Sequence, residues 1–262
     1  MPYVIAPDAP VKKRTKGVAR FVTIDRPSHG NALDLDALEA LTDAFEEIDE
    51  LGDIRILFLN GARGVFCSGG DQGDSSSCGK SDEQLRWVSR MFEALRTASV
   101  LTVALVDGPA IGFGAGLAAA CDCAVATRRA TFGFPETRSG LIPSVVAPYV
   151  MDAIGARAAR RLFVLGRTIS AEDAVRLGLA ERVVANELAL QQAAEEYIAE
   201  VKRVAPGAGR AAKRLTTELV ATPFSLRILE ETLRRIAIRR KTAEAIEGVR
   251  ARRANQSPRW VA

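Results

Sequence analysis

Residues 111–117 read I-G-F-G-A-G-L, with three glycines in five positions. They follow an apolar run (VLTVALV, 100–106) and precede an alanine-rich stretch ending in Cys121-Asp122. A second glycine-rich stretch, FCSGGD (66–71), lies earlier, inside the Gly/Ser-rich segment GARGVFCSGGDQGDSSSCGK. Turns of this kind expose backbone N–H groups, and at a helix N-terminus such groups can donate to an oxygen that gains negative charge. One donor from each loop would make an oxyanion hole. Glu136, in the run Phe134-Pro135-Glu136, reads by itself as a solvated turn residue at a strand end. In an apolar pocket, desolvation would raise its pKa toward neutrality, so that it could act as acid or base.

Other chemistries fit less well. A dinucleotide fingerprint needs G-x-G-x-x-G, whereas Gly112, Gly114 and Gly116 are spaced two apart and position 117 is leucine. No G-K-[ST] follows to make a phosphate-binding loop. The only histidine, His29, sits in a P-S-H-G-N turn and is read as a turn residue, which leaves no Ser-His or Cys-His pair. Cys67, Cys78, Cys121 and Cys123 match no zinc spacing and are expected to be reduced and structural, so no metal is expected.

The bulk numbers describe an ordinary globular chain: 262 residues, 48% hydrophobic, 26% charged, net charge +4. The basic excess near the C-terminus (RRIAIRRK, VRARR) reads as a solvated helix face, and no nucleic-acid partner is expected. The opening MPYVIAPDAP lacks the regions of a signal peptide, and no run reaches membrane-spanning length. The expectation is a soluble cytoplasmic protein with no membrane partner.

The elements that must position these residues follow from hydrophobic patterning. VARFVTID (18–25), IRILFLN (54–60), VLTVALV and CAVAT (123–127) have strand composition. Residues 33–50 place Leu38, Leu41, Phe45 and Ile48 on one helical face, and a second helix is expected over about 82–97. Strands alternating with helices predict an α/β unit with crossover connections, both glycine loops lying at the carboxyl edge of its sheet. Beyond about residue 143 the pattern is helical: 144–154, 156–165, 170–179, 186–204, 206–221 and 223–250. Ser170 and Asp173 resemble a capping box with the shorter acid.

Taken together, these stretches resemble the enoyl-CoA hydratase/isomerase, or crotonase, superfamily. FCSGGD is similar to its first oxyanion loop, DGPAIGFGAGLAAACD (107–122) to its second, and FGFPETRSGLIPS (132–144) to the acid-bearing segment. VARFVTIDRPSHGNAL (18–33), SAEDAVRLGLAERVV (170–184) and EGVRARRANQSPRW (247–260) extend the resemblance over nearly the whole chain. It implies a β-β-α spiral core with the acyl-CoA site over residues 1–185. It also implies a helical region over 186–262 for trimerisation and closure of the CoA site, in a homotrimer or a dimer of trimers.

The resemblance further implies roles. The backbone amides of Gly70 and Phe113 would hold the thioester oxygen of an acyl-CoA, and Glu136 would be the catalytic acid/base. Ser28, Gly30, Ser68, Asp71, Gln72, Gly112 and Gly114 would contact the substrate or its CoA, and no separate cofactor is implied. Many two-carboxylate hydratases carry their other glutamate where this chain has Gly116, and Ala115 and Leu117 supply no substitute. A positioned carboxyl contributes roughly 100- to 10,000-fold to rate, so the departure matters. One glutamate with an oxyanion hole suits hydration first, double-bond isomerisation second, and decarboxylation or C–C bond formation third. A crotonase-like binder without useful catalysis is the alternative of a different class.

Overall fold

The computed structural model describes residues 9–71, 82–220 and 225–261. Its main sheet has six strands in the order β1 (Val11–Lys16), β2 (Ala19–Ile24), β3 (Ile56–Gly61), β4 (Leu101–Val106), β6 (Cys123–Thr127) and β9 (Arg182–Val184). Only the β1–β2 pair is antiparallel; β2 through β9 run parallel, so their carboxyl ends share one edge. A second sheet of three short strands, β5 (Pro109–Ile111), β7 (Thr131–Gly133) and β8 (Thr168–Ser170), lies beyond that edge.

The connection between the sheets repeats. After one tight turn β4 passes into β5, and β6 passes into β7. Two isolated bridges, Cys67 to Ala110 and Leu33 to Gly70, continue the second layer toward the chain that leaves β3 and β2. Strand, turn, short strand and helix thus form a repeating spiral. The expected α/β class is met, and both glycine loops do lie at the carboxyl edge.

Helices cover both faces. α1 (Leu35–Glu46), capped by Asp34 accepting from the Ala37 amide at 2.9 Å, packs on α2 (Asp82–Thr97). α3 (Phe113–Ala120) and α4 (Ala147–Leu165) complete that side, with a kink in α4 at Gly155 (φ 75°) where two helices were expected. Leu38, Leu41, Phe45 and Ile48 are all buried in this core. On the opposite face α6 (Glu187–Arg203) buries Leu190, Ala193, Ala194 and Ile198 against Ile56, Phe58 and Val103. α5 (Ala171–Leu177) starts at Ser170, whose hydroxyl accepts from the Asp173 amide, half of the expected capping box.

Two features went unread in the sequence and one expectation needs correction. VKKRTK (11–16) forms β1, which its charge had hidden; it is an edge strand with only Val11 buried. The short strands β5, β7 and β8 carry too few residues to show a period. The long helix expected over 223–250 is two helices, α8 (Leu226–Arg239) and α9 (Ala243–Arg253), because Thr242 caps the second by accepting from the Ala245 amide. Before them, α7 (Pro206–Val220) is held to the core by Arg210, which donates to Ser99 and Ile54, and by Lys213, which pairs with Asp122. The chain end folds back so that Arg55, at the amino end of β3, donates to the Trp260 carbonyl at 3.2 Å. These contacts put the tail of a chain at the sheet edge away from its own glycine loops.

One buried side chain ties the site loops to this frame. Asn31 is fully buried with φ 57°, accepts from the Arg26 amide at 2.8 Å, and donates to the carbonyls of Ala62 and Val65. It joins the turn after β2 to the loop after β3. Asn31→Ala removes the side-chain donor to both carbonyls and places a Cβ-bearing residue without a side-chain partner in the left-handed region. We expect a loss of about 2–4 kcal/mol of stability in urea unfolding.

Candidate active site

The two glycine-rich loops meet backbone to backbone. Ile111 N–H donates to the Cys67 carbonyl at 2.8 Å, and the amides of Phe66 and Cys67 both donate to the Pro109 carbonyl, at 3.0 and 3.1 Å. A Cβ on Gly114 would stand 2.9 Å from Cys67 Cβ and closer still to the Cys67 carbonyl oxygen. A Cβ on Gly112, whose φ is +54°, would stand 3.9 Å from Gly69 Cα. The segment carrying Gly70 and the turn carrying Phe113 are therefore pressed together without intervening side chains. Gly70 pairs beside Leu33, flanked by the bonds from Leu33 N–H to Gly69 and from Asp71 N–H to Leu33. Phe113 opens α3, at the end where first-turn amides point outward and the helix dipole is positive.

Glu136 reaches the same turn. It begins a 3-10 helix (Glu136–Ser139) anchored by Thr137 Oγ1 donating to the Phe163 carbonyl and by Phe134 stacked edge-on against Phe163. Its Oε1 would lie 3.1 Å from a Cβ on Gly112, a close approach at a position whose positive φ already favours glycine. Its Oε2 is buried without a hydrogen-bond partner among the described residues. Burial raises the Glu136 pKa above the usual carboxylate range, and a bond to its own backbone only partly offsets this. A carboxyl with a raised pKa thus lies beside the glycine turn that opens α3.

The remaining sequence candidates separate into two groups. Ser28, Gly30 and Ser68 come together on the exposed rim: Ser68 N–H donates to the Gly30 carbonyl at 3.2 Å, and Ser68 Oγ to the His29 carbonyl at 3.4 Å. Ser28 Oγ lies 3.0 Å from His29 Nδ1. Asp71, by contrast, turns its carboxylate to Arg26 at 3.3 Å, and Arg26 also pairs with Asp34. In this arrangement Asp71 braces its loop. Gln72 lies outside the described residues, as does Cys78. Among the described residues no group of three His, Cys, Asp or Glu is placed to hold a metal ion.

Sequence reasoning missed an aromatic wall. Phe92 of α2 stacks on Tyr149 of α4 at 5.0 Å and meets Phe113 edge-on at 6.2 Å. Val146, just before α4, and Phe92 occupy the space beside Gly116: a Cβ there would lie 2.8 Å from Val146 Cβ, closer to its Cγ1, and 3.0 Å from Phe92 Cζ. The helical spacing of Phe92 signalled burial, but nothing in the sequence joined it to Tyr149 and Val146.

The chain matches known proteins over nearly its whole length. A family model described as enoyl-CoA hydratase/isomerase matches residues 13–249. An enoyl-CoA hydratase/isomerase from Marinobacter aquaeolei is 32% identical, with a TM-score of 0.89 over 97% of this chain and 99% of that one. Pseudomonas aeruginosa AtuE is also 32% identical, with a TM-score of 0.92 over 97% of this chain and all of the other. An enoyl-CoA hydratase of Mycobacterium smegmatis is 28% identical, with a TM-score of 0.90 over 97% and 100%.

Because the Glu136 pKa is raised in the folded state, that state holds the proton to higher pH than the unfolded chain does. The group's favourable contribution is full below the ordinary carboxylate pKa and is lost as pH rises through the raised value. Glu136→Gln, which cannot ionise, should therefore gain stability relative to wild type between about pH 4 and about pH 8. Denaturant unfolding at the two pH values measures the change, and a constant difference would contradict it.

Proposed function

We propose that this chain, which belongs to the enoyl-CoA hydratase/isomerase family, hydrates an enoyl-CoA thioester through an enolate, with Glu136 as its single acid/base. The observation that carries the proposal is the buried, unpartnered Glu136 oxygen beside the glycine turn that opens α3. The thioester oxygen would accept from the amides of Gly70 and Phe113. As water adds to C3, Glu136 takes its proton; the C3–O bond forms, the C2–C3 π electrons move into the enolate, and Glu136 returns the proton to C2. No cofactor is needed, since CoA is part of the substrate. Relatives bearing the name enoyl-CoA hydratase support this choice within the family.

Double-bond isomerisation is the second reading. It is favoured by the apolar filling beside Gly116, since moving a proton between C2 and C4 needs one carrier and no held water. We also propose a trimer or a dimer of trimers. Leu226, Leu229, Leu233 and Ile236 form an exposed stripe along α8 that a neighbouring chain would cover.

Phe113 offers a clean test of the amide donor, because proline is tolerated at the first position of a helix yet lacks N–H. Phe113→Pro should lose about 100- to 1000-fold in kcat relative to Phe113→Ala, which removes only the ring. Equal rates for the two variants would reject the donor. Glu136→Gln, assayed on 2-enoyl, 3-enoyl and glutaconyl thioesters, should lose about 100-fold or more on whichever is turned over. A variant as active as wild type would leave Glu136 without a catalytic role. Light scattering should give three or six chains, and Leu233→Glu should lower that number.

A further inference from the structure

Glycine inside a helix is disfavoured relative to alanine, so a helical glycine outside the left-handed region calls for a reason of space. Gly116 is such a residue: it lies in α3 one turn from Phe113, fully buried and without positive φ. The space its side chain would enter belongs to Val146 and Phe92. Neither can readily withdraw. Val146 is 1% exposed, and its carbonyl accepts from the Val150 amide at 3.1 Å as α4 begins. Phe92 is wedged between the rings of Tyr149 and Phe113.

From this packing we infer that Val146, which belongs to neither glycine-rich loop, is the specificity-determining residue that keeps the acyl compartment a one-acid site. The inference rests on the proposed role of Glu136 and deepens it. Hydration needs a water held at C3, and position 116, one turn along α3 from Phe113, is a place from which a second acid could approach it. A side chain there would run into Val146 and Phe92. The absence of a second acid is therefore enforced from α4 and α2, and replacing Gly116 alone cannot restore one. The surface left to the substrate beside Phe113 is apolar, which suits an acyl group carrying hydrocarbon at and beyond C3.

A melting cycle tests the packing without any substrate. Gly116→Ala should lower Tm by about 3–10 °C, the reverse of the usual helical gain, because overpacking outweighs propensity. In a Val146→Ala background, which removes the nearest clashing atom, the same change should cost less than half as much. An equal drop in both backgrounds, or a rise in Tm for Gly116→Ala alone, would overturn the inference. The chemical half uses Gly116→Glu alone and combined with Val146→Gly, assayed with crotonyl-CoA. The combined variant should hydrate at least about 10-fold faster than Gly116→Glu alone and raise the ratio of hydration to isomerisation above wild type. If the single variant matches the combined one in rate and Tm, Val146 excludes nothing. Wild-type protein inert toward every enoyl thioester would instead defeat the proposed function and leave the melting cycle standing.

Discussion

The site depends on two backbones that approach without side chains between them. The loop after β3 and the turn after β5 share a ladder of bonds among Phe66, Cys67, Pro109 and Ile111, and Gly114 lies against the Cys67 carbonyl. The same tightness recurs one turn away, where a Cβ on Gly108 would lie 2.9 Å from the Gly64 carbonyl carbon. Hydrogen-bonded backbone is the stiffest material a protein has. Amides fixed in this way need not reorganise when an oxygen in front of them gains charge, and that is the source of their strength in catalysis. Asn31 under the loop and the short strands of the second sheet help to maintain that approach.

Charge is distributed to the same end. Around the sheet edges carboxylates are neutralised: Asp107 by Arg129 and Thr127, Asp122 by Lys213 and Thr102, and Asp71 and Asp34 by Arg26. The Arg129 guanidinium holds the Asp107 carboxyl below the ordinary range. Glu136, by contrast, has a buried oxygen with no hydrogen-bond partner among the described residues, an arrangement that costs stability.

Much of the frame was legible in the sequence because burial imposes a period. The central strands are apolar on both faces, and α1 shows its buried stripe directly. The glycine turns and Glu136 each read singly as ordinary turn residues, and only the resemblance that joins all three segments marked them as candidates for chemistry. What escaped notice was either short or conditional on tertiary contact. β1 is edge-exposed, and β5, β7 and β8 have three residues each. Arg26 gives no local sign that it will take Asp71, a residue marked from sequence as a substrate contact. Gly116 was marked as a position lacking an acid, whereas its occupancy by Val146 depends on a residue thirty positions later and could only be seen in three dimensions.

The outermost strand also bears on how copies of the chain can meet. β1 exposes Lys12, Lys13, Arg14, Thr15 and Lys16 in succession along an open sheet edge. Lys13 pairs with Glu47, Lys16 with Glu195, and Arg14 lies 4.7 Å from the Phe21 ring. A second sheet docking there edge to edge would have to strip water from four cations while forming its ladder, a standard barrier to runaway strand pairing. Among the described residues this strand edge is thus guarded against fibril-like growth.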